Sequence, residues 1–117
     1  MSTEREMLEA AARAAGLDID HERYDEDWGY AFRGKAKFWN PRNCSFDSFE
    51  LAAALRISVE HNDPYDRHPW VCASVWTDGD SSEQQYLEDV PDESQRADRM
   101  RLAILRCAAA QAPKEVA

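Results

Sequence analysis

The sequence predicts an α+β domain in which helices flank a mixed, mainly antiparallel sheet, as an α/β/α or a two-layer sandwich. Three observations predict it. Apolar residues recur at helical spacing near both ends: Met7, Leu8, Ala11 and Ala15 first, then Ala97, Met100, Ile104, Cys107, Ala108 and Gln111. Between them, Trp70 to Trp76 alternates Val71, Ala73 and Val75 with Trp70, Cys72, Ser74 and Trp76, and is largely apolar on both sides. Trp28 to Trp39 adds an aromatic alternation around Gly34, the pattern of a hairpin.

Each element has a local reason. Thr3 and Glu6 form a capping-box pattern ahead of a helix over 3–15, and Gly16 supplies its stop. From Leu17 onward, Ile19, His21 and Arg23 alternate with Asp18, Asp20 and Glu22, which reads as a charged edge strand. Asp25-Glu26-Asp27 follows as a loop. Trp28, Tyr30 and Phe32 lead into a turn at Arg33-Gly34, and Asn40-Pro41 ends the returning strand. Ser45 is the expected N-cap of a helix over 46–56, with Asp47 at the favourable end of the dipole. Phe46, Phe49, Leu51, Ala53, Ala54 and Leu55 are expected to form its apolar face, and 57–61 alternates as a strand.

The run Trp70 to Trp76 is expected to be a central strand covered on both faces, because it is apolar on both. Asp78 to Ser82 reads as a turn and Glu83 to Glu88 as a weak edge strand. Pro91 fits the first position of a last helix over 92–111, which Pro113 stops. The 117 residues therefore organise as one domain, 1–112, with a flexible tail at 113–117.

Composition narrows the function classes. A hydrophobic share of 44% beside 32% charged residues is that of a globular chain, and no apolar run approaches a membrane span. Met1-Ser2-Thr3-Glu4 is acidic where a secretory leader is basic, so a cytoplasmic location is expected. Cys44, Cys72 and Cys107 are odd in number and lack metal-ligand spacing, so they read as reduced, buried small hydrophobes. A net charge of −9 disfavours direct nucleic-acid binding, which needs a basic footprint, and suits a basic partner surface or simple solubility.

Several constellations carry residue types that could do chemistry. His61 to His68 offers two imidazoles among carboxylates, yet matches no ligand spacing and has turn composition. Asp78, Asp80 and Ser82 open like a calcium loop, but Glu83 stands where glycine is needed and Asp89 where glutamate is. No phosphate-cradling glycine loop or nucleophile elbow exists, so no catalytic residue, metal or cofactor is expected. Trp28, Trp39, Trp70 and Trp76 suit core packing better than a stacking platform.

Two acidic clusters remain as partner-binding candidates: Asp18, Asp20, Glu22, Asp25, Glu26 and Asp27, then Asp78, Asp80, Glu83, Glu88, Asp89, Asp92 and Glu93. From Thr77 to Glu93 there is no Lys or Arg, and clustered like charge costs stability through repulsion, so an uninterrupted patch invites a functional explanation.

The order of an N-terminal helix, Trp39-Asn40-Pro41, the helix from Phe46 to Leu55, strands, and a last helix carrying Ala103-Ile104-Leu105-Arg106-Cys107-Ala108 resembles the phage ABA sandwich domain of small phage and prophage proteins. The hairpin over 28–38 and the loop over 78–90 stand outside that resemblance as local elaborations. The family brings no catalytic residues with it. In size and acidity the chain is also similar, more loosely, to anti-CRISPR proteins, including those directed at type I systems. That resemblance implies an inhibitor in the host cytoplasm. Its partner would be a CRISPR-Cas component, bound on the basic surface that holds DNA on the effector or its helicase-nuclease. The rival expectations are a sponge for a nucleotide signal, with Arg33, Lys35, Lys37 and Arg42 beside Trp39, and a structural or regulatory phage protein acting as an oligomer such as a homodimer.

Overall fold

The structure, a computed structural model, describes residues 3–76 and 83–113. Its elements run α1 (Glu4–Ala15), β1 (Ile19–Asp25), β2 (Gly29–Phe32), β3 (Phe38–Trp39), α2 (Ser45–Leu55), β4 (Ser58–His61), β5 (Trp70–Trp76), β6 (Glu83–Asp89), a 3-10 turn (Glu93–Gln95) and α3 (Arg96–Ala110). The class is α+β. The strands divide into two antiparallel sheets of three, β1-β2-β3 and β4-β5-β6, where a single sheet around Trp70–Trp76 was expected.

Local chemistry sets the first helix as the sequence implies. Thr3 and Glu6 close the capping box in both directions, and Gly16 takes a left-handed conformation that ends α1. The other two helix starts differ from expectation. Cys44, not Ser45, is the N-cap of α2, and it makes no side-chain cap. Ser45 instead accepts a hydrogen bond from Arg101, 3.0 Å away. At the last helix, Pro91 lies outside; Asp92 caps the 3-10 turn, and α3 begins only at Arg96.

α3 is the hub. Ala103, Leu105, Cys107 and Ala108 are fully buried, and the helix packs on β5, β6, α1 and α2. α1 bridges from α3 to the first sheet through Leu8, Ala11 and Ala12. Full burial of Leu8 and Leu105 stabilises the fold by about 1.5–3 kcal/mol each. Arg42, just before α2, ties three helices: it forks onto Asp98 at 2.7 and 3.3 Å and reaches Glu4 at 3.7 Å. That hydrogen bonding holds the Asp98 carboxyl below the usual carboxylate range.

The first sheet is closed around its central strand. Gly29, Tyr30 and Ala31 are all buried. Gly29 sits at φ 81°, and a Cβ there would lie 2.2 Å from the Trp39 carbonyl oxygen, so only glycine lets β3 pair this closely. Tyr30 is held from above by α1: its hydroxyl donates to Glu9 and accepts from Arg5 Nε at 2.8 Å. Tyr24 packs on the Tyr30 ring at 4.9 Å, and the Arg5 guanidinium lies 4.6 Å from the Tyr24 ring centre.

Candidate functional site

The second sheet is built differently. Across an antiparallel ladder, paired residues share a face. The register pairs Ser58 with Ser74, Glu60 with Cys72, and Trp70, Cys72, Ser74 and Trp76 with Asp89, Leu87, Gln85 and Glu83. The other face carries Val59, Ala73, Val75 and Tyr86, which join the core under α3. The expectation that β5 is central holds, but the expectation that it is covered on both faces does not. No described element packs over the side carrying Trp70, Cys72, Ser74 and Trp76.

That open face has an apolar middle. Trp76 is 67% exposed and Leu87 54%, while Cys72 and Ser74 on the same face are buried. Trp70 is half-buried, its indole nitrogen 3.3 Å from Asp66. The charged residues of the face are Glu60, Glu83 and Asp89, all exposed, with no lysine or arginine among its described residues. The Cys72 thiol registers this: burial pushes its pKa up, and the negative charges of Glu60 and Glu83 add to the rise.

The sequence-derived acidic residues separate into two groups by what they do. Asp78 and Asp80 lie outside the described residues, as does the opening of the calcium-like loop; its second half, from Glu83 to Asp89, is the strand β6. Six others have structural work. Asp18 pairs with Arg33 at 3.0 Å; Asp20 accepts from the Glu22 amide; Asp25 accepts from the amides of Asp27 and Trp28. Glu88 faces α3 and pairs with Arg106; Asp92 binds Ser94; Glu93 pairs with Arg96 at 2.8 Å. Hydrogen bonds from Ser94 and Arg96 lower the pKa of Asp92 and Glu93 respectively. The side chains of Glu22, Glu26, Asp27, Glu83 and Asp89 are exposed and carry no such bond.

The two clusters sit on different sheets. β1 packs against β2 and α1, whereas β6 packs against β5 and α3. Among the described residues of the second cluster, only Glu83 and Asp89 lie beside exposed apolar side chains on one face, and Glu60 joins them across the ladder. Sequence reading missed Glu60 and Leu87 as members of this surface. The available signal was the two-residue period, which places Trp70, Cys72, Ser74 and Trp76 together; the cross-strand register that adds the others is not local.

The remaining constellations resolve as structure. In the loop from His61 to His68, Asn62 accepts from Trp70 N at 3.0 Å and from Arg96 at 2.7 Å, while Arg96 also reaches the Trp70 carbonyl and the His61 ring nitrogen, each at 3.0 Å. Among the described residues, no group of three His, Cys, Asp or Glu side chains is placed to hold a metal ion. The basic residues considered for a nucleotide pocket are dispersed: Trp39 is buried, Arg42 is spent on Asp98 and Glu4, and Arg33 on Asp18. Core packing accounts for Trp39 but not for Trp28 or Trp76, which are 68% and 67% exposed. All three cysteines are free thiols; Cys72 and Cys107 are buried, Cys44 partly so, and burial pushes Cys107 up to about 11.

No helix among the described residues is long and apolar enough to cross a membrane. In comparison with known proteins, no family model, no curated protein and no solved structure matches the chain. The fold class stands as α+β, and function rests on the surface alone.

Proposed function

We propose that this protein acts by binding, and that the open face of the second sheet is the contact surface. A single observation carries the reading: Trp76 and Leu87 stand 67% and 54% exposed in a field of Glu60, Glu83 and Asp89 that contains no basic side chain among the described residues. Exposed aromatic and aliphatic anchors supply affinity once water is excluded, and a rim of one sign selects partners of the other. The fitting partner is a protein with a basic surface around an apolar patch, the kind of surface that holds nucleic acid. The resemblance to small phage proteins makes a host-defence complex the leading case. In that case the protein is a cytoplasmic antagonist of a type I CRISPR effector, or of its helicase-nuclease, and competes with DNA for the same site.

Expression in a bacterium whose type I system restricts a phage tests this reading. Restored plaquing by the natural chain, lost on Trp76→Arg with Leu87→Lys, is the expected result. Restriction that persists with the natural chain in representative type I hosts contradicts the defence reading. Restored plaquing that survives both substitutions contradicts the assigned surface.

A further inference from the structure

A second surface points to a different partner. α2 carries apolar residues on every side, with Asp47, Ser48 and Glu50 set among them, so its apolar content is not confined to the core-facing side. Leu51 and Ser48 face inward and are buried, but Phe46 and Phe49 face outward, 61% and 71% exposed, with Ala53 exposed beside them. The sequence groups both phenylalanines with Leu51 on one apolar face of the helix; the structure separates them, burying Leu51 and exposing both phenylalanines. Residues 46, 49, 50 and 53 follow helical spacing and form one ridge.

Apolar grooves run along both flanks of that ridge. One, about 440 Å³, lies between α2, α3 and β4 and is lined by Ala52, Ala53, Ile57, Val59, Met100 and Ile104 among others. The other, about 350 Å³, is floored by Leu17, Phe32, Trp39, Leu51 and Ala54, with Lys37 and Glu50 also lining it. The surface thus presents projections and recesses of the same chemistry.

Charge distinguishes the occupant. The whole chain carries −9, yet around the ridge Asp47 and Glu50 are offset by Lys37 and Arg56. Glu50, Lys37 and Arg56 form no ion pair among the described residues. Two copies of an acidic protein repel wherever their net charge faces, and this balanced patch is where they can meet. A basic partner is drawn instead to the faces with uncompensated carboxylates. A symmetric interface must complement itself, which a patch with both ridge and groove and both signs of charge does.

We infer that α2 is a homodimer interface, with Phe46 and Phe49 of each copy seated in the grooves beside α2 of the other. This surface lies on the α3 side of the molecule, away from the open sheet face, so a dimer displays two copies of the partner-binding face. The inference does not depend on that face's function.

Sedimentation of the full chain tests it, at about 100 µM protein, where a micromolar Kd leaves most chains paired. The natural chain is expected to sediment as a dimer, Phe46→Glu and Phe49→Glu as monomers, and Trp76→Glu as a dimer. Amide exchange of the natural chain supplies a reading free of substitution: 46–54 should gain protection as concentration rises. A monomeric natural chain at that concentration overturns the interface. So does a dimer that both phenylalanine variants preserve, or one whose concentration-dependent protection falls on β5 and β6 instead of α2.

Discussion

The two sheets have the same strand number and the same antiparallel pairing, and they use their central strands in opposite ways. In the first, β2 is enclosed: Gly29 admits Trp39 at backbone contact, and Tyr30 is fixed between Glu9 and Arg5 of α1. In the second, β5 gives one face to α3 and leaves Trp76 uncovered on the other. Hydrophobic burial, worth about 25 cal/mol per Å², is complete over Gly29 to Ala31 of β2 and used on one face only of β5. Apolar area left in water is stabilisation forgone by the free chain and available to a partner.

Substitutions that separate folding from binding sharpen this contrast. The largest effect belongs to the closed sheet. Gly29→Ala forces a Cβ into the Trp39 carbonyl at a left-handed φ, and should cost at least about 3 kcal/mol in chemical unfolding. A loss under about 1 kcal/mol would mean that β3 pairs more loosely than described.

Arg42→Ala comes next, at about 2 kcal/mol near neutral pH, because it strips Asp98 and Glu4 of a partly buried partner. Asp98 has a lowered pKa in the folded protein, so its contribution is present above the unfolded carboxylate value of about 3.9 and fades as pH falls through the folded value. The difference between Arg42→Ala and the natural chain should therefore narrow below about pH 4, and a difference that widens there would contradict the pairing. Tyr30→Phe, which removes one hydroxyl between Glu9 and Arg5, should cost about 1 kcal/mol.

The smallest effect on stability is expected on the open sheet. Trp76→Ser should change unfolding by no more than about 0.5 kcal/mol while weakening partner capture. Thiol reactivity gives a parallel reading without substitution. Cys44 should react first in the native protein, with Cys107 silent until unfolding because it is buried and its pKa is pushed up to about 11.

Much of the fold is legible in local sequence. The Thr3–Glu6 capping box, the Gly16 stop and the β5 alternation each act within a few residues, and each reads correctly. What misled was apolar content in two places. The residues of β5 are apolar on both faces, α2 has apolar residues on every side, and both patterns imply burial within the chain. A side chain buried in a core and one reserved for a partner have the same composition. Only the packing of α3, which covers one face of β5 and one side of α2, tells them apart.

The acidic residues teach the complementary lesson. Asp and Glu cap turns and pair with arginine as readily as they face a partner, so clustering along the chain overstates the free charge. Asp25, Glu88 and Asp92 are spent inside the molecule, while Glu60, isolated in sequence, joins Glu83 and Asp89 by strand register.

The most direct test is affinity capture from a phage-sensitive bacterium at low and high salt, comparing the natural chain with Trp76→Arg plus Leu87→Lys. The expected result is a nucleic-acid-binding protein retained by the natural chain, released by salt or by added DNA, and absent with the double variant. A partner held equally by both chains, insensitive to salt and to DNA, would contradict the assignment of the open sheet face.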